Sequence, residues 1–226
     1  VAALWLTASA STGHADPAQA GPTGTDIRYI TAAGWGGYAT DGRVFSTVSA
    51  EWTEPNVTCG ATSDLFAPWV GIDGYTSADP HTVEQTGVET NCSSGTPVYR
   101  AWYEMAPAPP VYFGDTVKPG DQVQASVVRK GTTYTLTLTD RTQGWTATVD
   151  QTCASCENSS AEVVLESPSR HYPNFGEVTF RQATVDGKPL DSYPTSSINS
   201  VNPLDQAETQ NSPLHGGAFS VRFNRE

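Results

Sequence analysis

The chain has 226 residues, 24 Asp and Glu against 12 Lys and Arg, and a net charge of −12. Such a surface repels nucleic acid and anionic membranes, which excludes both as partners. The length suits one large domain with a sizeable core. As pH falls toward about 4 to 5 the surface loses charge instead of building positive self-repulsion, a composition suited to an acidic workplace.

Residues Val1 to Leu6 are apolar, and Ala8-Ser9-Ala10 and Ala18-Gln19-Ala20 follow as small-x-small cleavage patterns. This reads as the end of a secretory signal or a leader remnant, so a secreted, extracellular protein is expected. The stretch from Ser11 to Asp26 is rich in Ala, Gly, Pro and Thr and reads as flexible. Residues 1–27 are therefore assigned to a leader or pro-segment, and 28–226 to one globular domain. No other run approaches the length of a membrane span.

Beyond the leader the pattern alternates. Strands are expected over Val44 to Trp52, Phe66 to Ile72, Val83 to Glu89 and Val98 to Met105. Val123 to Arg129 and Thr133 to Thr139 flank Lys130-Gly131, a hairpin signal. Trp145 to Asp150, Glu162 to Glu166, Glu177 to Val185 and Ala218 to Phe223 complete the set, with Asp186-Gly187 as a further tight turn. Tyr193 to Ser212, rich in Pro, Ser and Asn, reads as a long loop flanking a cleft. No amphipathic helix of usable length occurs. Many short strands at close spacing predict an all-β antiparallel sandwich.

The four cysteines are Cys59, Cys92, Cys153 and Cys156. An even count in a secreted chain implies two disulfides, with three possible connectivities. Cys59–Cys92 with Cys153–Cys156 is the favoured pairing. One CxxC with no His at ligand spacing argues against zinc, and a thioredoxin-like motif would need a βαβ context. Asn56-Val57-Thr58, Asn91-Cys92-Ser93 and Asn158-Ser159-Ser160 are glycosylation sequons, meaningful only in a eukaryotic secretory host.

The common hydrolase motifs are missing: there is no Asp-Thr-Gly, no Gly-x-Ser-x-Gly and no His-Glu-x-x-His. The histidines, His14, His81, His171 and His215, have no local support for a triad and read as leader, surface or loop residues. What remains is an amide and a carboxylate set in strand patterns, in Glu84-Gln85-Thr86-Gly87 and Ala161-Glu162-Val163-Val164-Leu165-Glu166. Most such residues only decorate a solvated face. A buried Gln facing a Glu is costly unless used, and together they suffice to hold a water, polarise a carbonyl and pass a proton.

These segments belong to an ordered set: Trp35-Gly36-Gly37, Trp69-Val70-Gly71-Ile72-Asp73-Gly74, Gln85-Thr86-Gly87, Ala101-Trp102-Tyr103-Glu104 followed by Pro107, Gly120-Asp121, and Ala161-Glu162 through Glu166. From Trp35 onward the chain resembles the glutamic peptidases, or eqolisins. The resemblance implies a sandwich of two curved sheets with a concave substrate cleft, and Gln85 and Glu166 as a catalytic dyad. Glu162, four residues earlier on the same strand face, is the competing carboxylate. The resemblance also places Trp69, Glu104, Trp35 and Asp73 about the substrate, although Trp35 suits core packing equally and Asp73 suits a turn cap. Met105 and Ala106 depart from the aromatics that follow Trp-Tyr-Glu in fungal members, so subsites are expected to differ. With an ordinary value of about 4.3, Glu166 is expected to be partly ionised in mild acid and to act as general base. Polypeptides are the expected substrates, the chain is expected to act as a monomer, and no metal or cofactor is required. The rival reading is a carbohydrate-binding sandwich whose Trp and Tyr stack on sugar rings.

Overall fold

The computed structural model describes residues 27–32, 34–75, 82–169 and 171–224. Residues 1–26 of the expected leader, His14 among them, and His81 lie outside the described residues, and Ile27, the leader's expected last residue, opens the first strand.

Sixteen strands follow in chain order: β1 (Ile27–Ala32), β2 (Trp35–Asp41), β3 (Thr47–Thr53), β4 (Leu65–Ile72), β5 (Val83–Asn91), β6 (Val98–Ala106), β7 (Val111–Thr116) and β8 (Gln122–Lys130), then β9 (Thr133–Asp140), β10 (Trp145–Thr152), β11 (Ser160–Glu166), β12 (Glu177–Val185), β13 (Lys188–Pro189), β14 (Thr195–Ser200), β15 (Thr209–Asn211) and β16 (Phe219–Phe223). One sheet runs β1-β14-β2-β11-β4-β5-β6-β7, the other β10-β9-β8-β3-β12-β16-β15. The expected all-β sandwich is borne out. Its one parallel pairing among the described strands joins β1 to β14.

The second sheet follows the period-2 rule. On β3 and β9, Val48, Ala50 and Trp52, and Tyr134, Leu136 and Leu138, point inward between half-exposed polar neighbours. They pack against Phe66, Val70, Ile72, Val88, Val163 and Leu165 of the first sheet. Burying a side chain of this kind contributes about 1.5–3 kcal/mol. Lys130 pairs with Thr133 across Gly131 and Thr132, as the hairpin signal predicts. Asp186-Gly187 closes its turn with both residues at positive φ, 47° and 75°.

The first sheet differs. β5 is buried along all but its last residue, and β11 along its whole length. Its second face carries another cluster, with Trp35, Ala67, Trp69, Trp102 and Val164. Two glycines permit that packing. A Cβ on Gly71 would sit 2.8 Å from Trp69 Cζ3, and one on Gly87 would meet the Pro68 carbonyl and lie 2.6 Å from Trp69 Cβ. The indole therefore lies over Gly71, with Gly87 closing the cross-strand approach.

Both favoured disulfides form, Cys59–Cys92 and Cys153–Cys156. In the chain-entropy account the first, spanning 33 residues, restrains the unfolded chain by roughly 4 kcal/mol, and the second by roughly 2. The expected loop from Tyr193 to Ser212 is corrected. It contains β14 and β15, and β14 is inserted between β1 and β2. Some of its polar side chains find partners in place: Ser200 Oγ donates to Glu208 Oε2, and Asn211 Nδ2 donates to the Gly37 and Ile198 carbonyls.

Gly87→Ala should cost about 2 kcal/mol or more, because its contacts are backbone and cannot yield. Gly114, with open space around it, should accept Ala within about 0.5 kcal/mol. Thermal unfolding of the two variants checks the contrast.

Candidate active site

Antiparallel register lays the candidate residues in lateral rows across β2, β11, β4, β5 and β6. One row is Ala39, Glu162, Gly71, Gln85, Glu104. The next is Gly37, Val164, Trp69, Gly87, Trp102, and beyond it Trp35, Glu166 and Ala67 lie together. Because neighbours on a strand face opposite ways, Gln85 shares the face of Trp69 while Glu84 points toward the other sheet.

Side-chain contacts bind the rows together. Gln85 Nε2 donates to Glu104 Oε2 at 2.8 Å. Trp69 Nε1 donates to Glu166 Oε2 at 3.2 Å, and Trp35 meets Trp69 edge to face with centroids 5.0 Å apart. Gln85 Oε1 is buried and accepts no hydrogen bond among the described residues. The structure thus gathers Gln85, Glu104, Glu166, Trp69 and Trp35. It does not bring Asp73 into the group. The Asp73 carboxylate accepts the Asn158 amide (2.8 Å) and the Ser159 amide (2.7 Å), fastening the segment that enters β11. That is the capping role, at a positive φ of 68°.

Trp102 is a member that the sequence reading left out. It is fully buried, and its indole N–H finds no partner among the described residues. The signal was present in β6, where Trp102 stands two residues before Glu104 and so on the same face.

Electrostatics correct one expectation. Burial pushes Glu166 up to about 8, the charge of Glu104 adds to the rise, and the indole N–H groups of Trp35 and Trp69 oppose it. Glu104 is pushed up to about 7 by burial, against its hydrogen bond from Gln85. Glu166 in this state is therefore a neutral acid in mild acid, not a partly ionised base. Two adjacent buried carboxyls that repel as anions keep at least one proton between them. Glu162 is raised well above the ordinary range, again by burial first, with Asp73 and Glu84 adding to it. Neither of its oxygens forms a hydrogen bond among the described residues. Burial lifts Glu54 to about 8 and Glu84 to about 9.

Each of these groups holds its proton more tightly folded than unfolded, so the folded state binds more protons above the unfolded value of about 4.3. Their contribution to stability is complete below that value. It is lost as pH rises through the folded values of about 7 to 9.

A family model described as the Peptidase A4 family matches residues 33–215. Scytalidopepsin B of Scytalidium lignicola is 34% identical over 137 residues, covering 58% of this chain and 50% of that protein. The match thus spans half the length of that relative. Aspergillopepsin-2 of Aspergillus niger is 26% identical over 205 residues, covering 77% of this chain and 68% of its own. The crystal structure of scytalido-glutamic peptidase with a transition state analog inhibitor superposes with a TM-score of 0.73 at 27% identity. That superposition covers 85% of this chain and 98% of the other.

In urea titrations the unfolding midpoint should fall steadily from pH 4 to pH 8. Glu162→Gln should remove up to about 1.4 kcal/mol per pH unit from that decline. A midpoint independent of pH would contradict the assignment of neutral buried carboxyls.

Proposed function

Since the chain belongs to the Peptidase A4 family, we propose that it is a secreted, acid-active glutamic endopeptidase in which Gln85 and Glu166 act on the peptide bond. The observation that carries this reading is the position of Glu104, which accepts a hydrogen bond from Gln85 and bears electrostatically on Glu166. Glu162 has different surroundings, Asp73, Glu84 and Ser160, and is assigned no chemical step.

The mechanism follows from the donors present. The Gln85 amide carries two hydrogens; Glu104 takes one and fixes the plane, leaving the other for the developing oxyanion. Gln85 Oε1 is left to hold the lytic water. Desolvation is the main cause of the raised Glu166, so a water and a polar peptide beside it return the carboxyl toward its ordinary range. Once ionised, Glu166 takes the proton of the water as the water attacks the scissile carbonyl. It then delivers that proton to the leaving amine. The Trp69 N–H group stabilises the carboxylate during the interval in which it is charged. No covalent intermediate is needed.

The substrates are polypeptides and the catalytic unit is a monomer. Both disulfides suit an extracellular setting. The sugar-binding alternative gives no use to the Gln85–Glu104 hydrogen bond or to the carboxyl of Glu166 held by Trp69.

Cleavage of denatured casein from pH 2 to 8, with pepstatin and a chelator as controls, tests the proposal. The expected result is activity confined to acid and indifferent to both controls. Gln85→Ala should lower kcat by about 10²–10³, Glu166→Gln should abolish turnover, and Glu162→Gln should retain it. Near-normal activity in folded Glu166→Gln would overturn the assignment.

A further inference from the structure

The Cys153–Cys156 disulfide closes the segment that leads from β10 in one sheet to β11 in the other. Its two sulfurs and a carboxyl oxygen of Glu84 all lie within 4.8 Å of one another. Glu84 is fully buried, and neither of its oxygens forms a hydrogen bond among the described residues. The peptidase chemistry has no use for it, since it faces away from Gln85. Both sulfurs pack against the core while remaining half-buried, so an outside thiol can reach them. Cys92, in the other disulfide, is fully buried.

We propose that Cys153, Cys156 and Glu84 form a second, redox-active site, in which the disulfide accepts two electrons from a dithiol and Glu84 supplies the proton. Breaking a disulfide requires a thiolate to attack one sulfur while the other departs, and departure is faster the less charge it leaves behind. A bare thiolate against an apolar core is costly, and a neutral carboxyl within reach removes that cost. In the first step a thiolate of the donor bonds to one cysteine sulfur. The Cys153–Cys156 bond breaks, and the Glu84 proton passes to the departing sulfur. In the second step the remaining thiol of the donor attacks the mixed disulfide, closes the donor's own disulfide and gives its proton to the released cysteine. Glu84 regains a proton from solvent. The donor is oxidised to a cyclic disulfide and the protein is left with two thiols.

The surroundings keep Glu84 protonated. Asp73 from the end of β4, Arg129 from β8 and the Tyr134 hydroxyl from β9 lie near it on its side of the sheet, and the charge of Glu162 acts from the other face. Burial is the largest influence and Asp73 the next, and only Arg129 among these side chains opposes them, so the acid form persists up to about pH 9. The buried carboxyl, in place of a βαβ fold, gives this CxxC its chemistry.

The test treats the folded protein with dithiothreitol at pH 5 to 7, counts free thiols by alkylation and mass spectrometry, and expresses rates per thiolate. Cys153–Cys156 should open in the folded state while Cys59–Cys92 stays closed. Glu84→Gln, which keeps the shape but cannot release a proton, should slow the opening about tenfold or more. Glu84→Asp, which keeps the acid on a shorter arm, should recover part of the rate, and circular dichroism identifies folded variants. Opening of both disulfides only on unfolding, or equal rates in wild type and Glu84→Gln, would overturn the proposal. Casein cleavage by the same samples reports the peptidase reading separately, so either can fail without the other.

Discussion

Burying a carboxyl with neither a cation nor enough hydrogen-bond donors favours its protonated form, and this molecule does so repeatedly. Glu54, Glu84, Glu104, Glu162 and Glu166 are buried, and none joins the ion pairs formed among the described residues. For all but Glu54, which follows β3 of the second sheet, the cause lies in the first sheet, where β5 and β11 are buried on both faces and a polar residue on either face loses its water. Protons are thus part of the folded structure. The pH at which the protein holds together and the pH at which its acids are armed have one origin.

The same double burial explains the tryptophans and glycines. A sheet with apolar material on both sides must alternate large and small residues to interdigitate. Trp69 over Gly71, beside Gly87, is that alternation. The indole fills the space that the missing side chains leave, and its N–H emerges at Glu166. Packing and chemistry are served by one residue, so the carboxylate is oriented by the core and not by a mobile loop.

Legibility in the sequence followed burial. β3, β8, β9 and β12 have one buried face and a readable alternation, and their expected positions agree within a few residues. β2 has Gly36 and Gly37 and no β-branched residue before Thr40, so the strand preference of Trp35 and Tyr38 is offset by the glycines. β14 reads Thr-Ser-Ser-Ile-Asn-Ser and resembles a loop; the Ser197 and Ser200 hydroxyls become acceptable inside through Asn211 and Glu208, distant in pattern though near in space. Gln85 and Glu166 were legible through their ordered motifs. The protonation of Glu166 was not, because it depends on what covers the strand, a property no local window carries.

The topology also sets an order of assembly. β4, β5 and β6 form a local meander that carries Trp69, Gln85 and Glu104, and it can pair as soon as it is made. Glu166 arrives on β11, and Trp35, though early in sequence, joins a sheet only where β2 lies between β11 and β14. Non-local pairings of this kind form late. On a ribosome, the strands that carry Gln85 and Glu104 precede by tens of residues the strand that carries Glu166. The carboxyl cluster is therefore complete only once β11 and β14 have emerged to enclose β2.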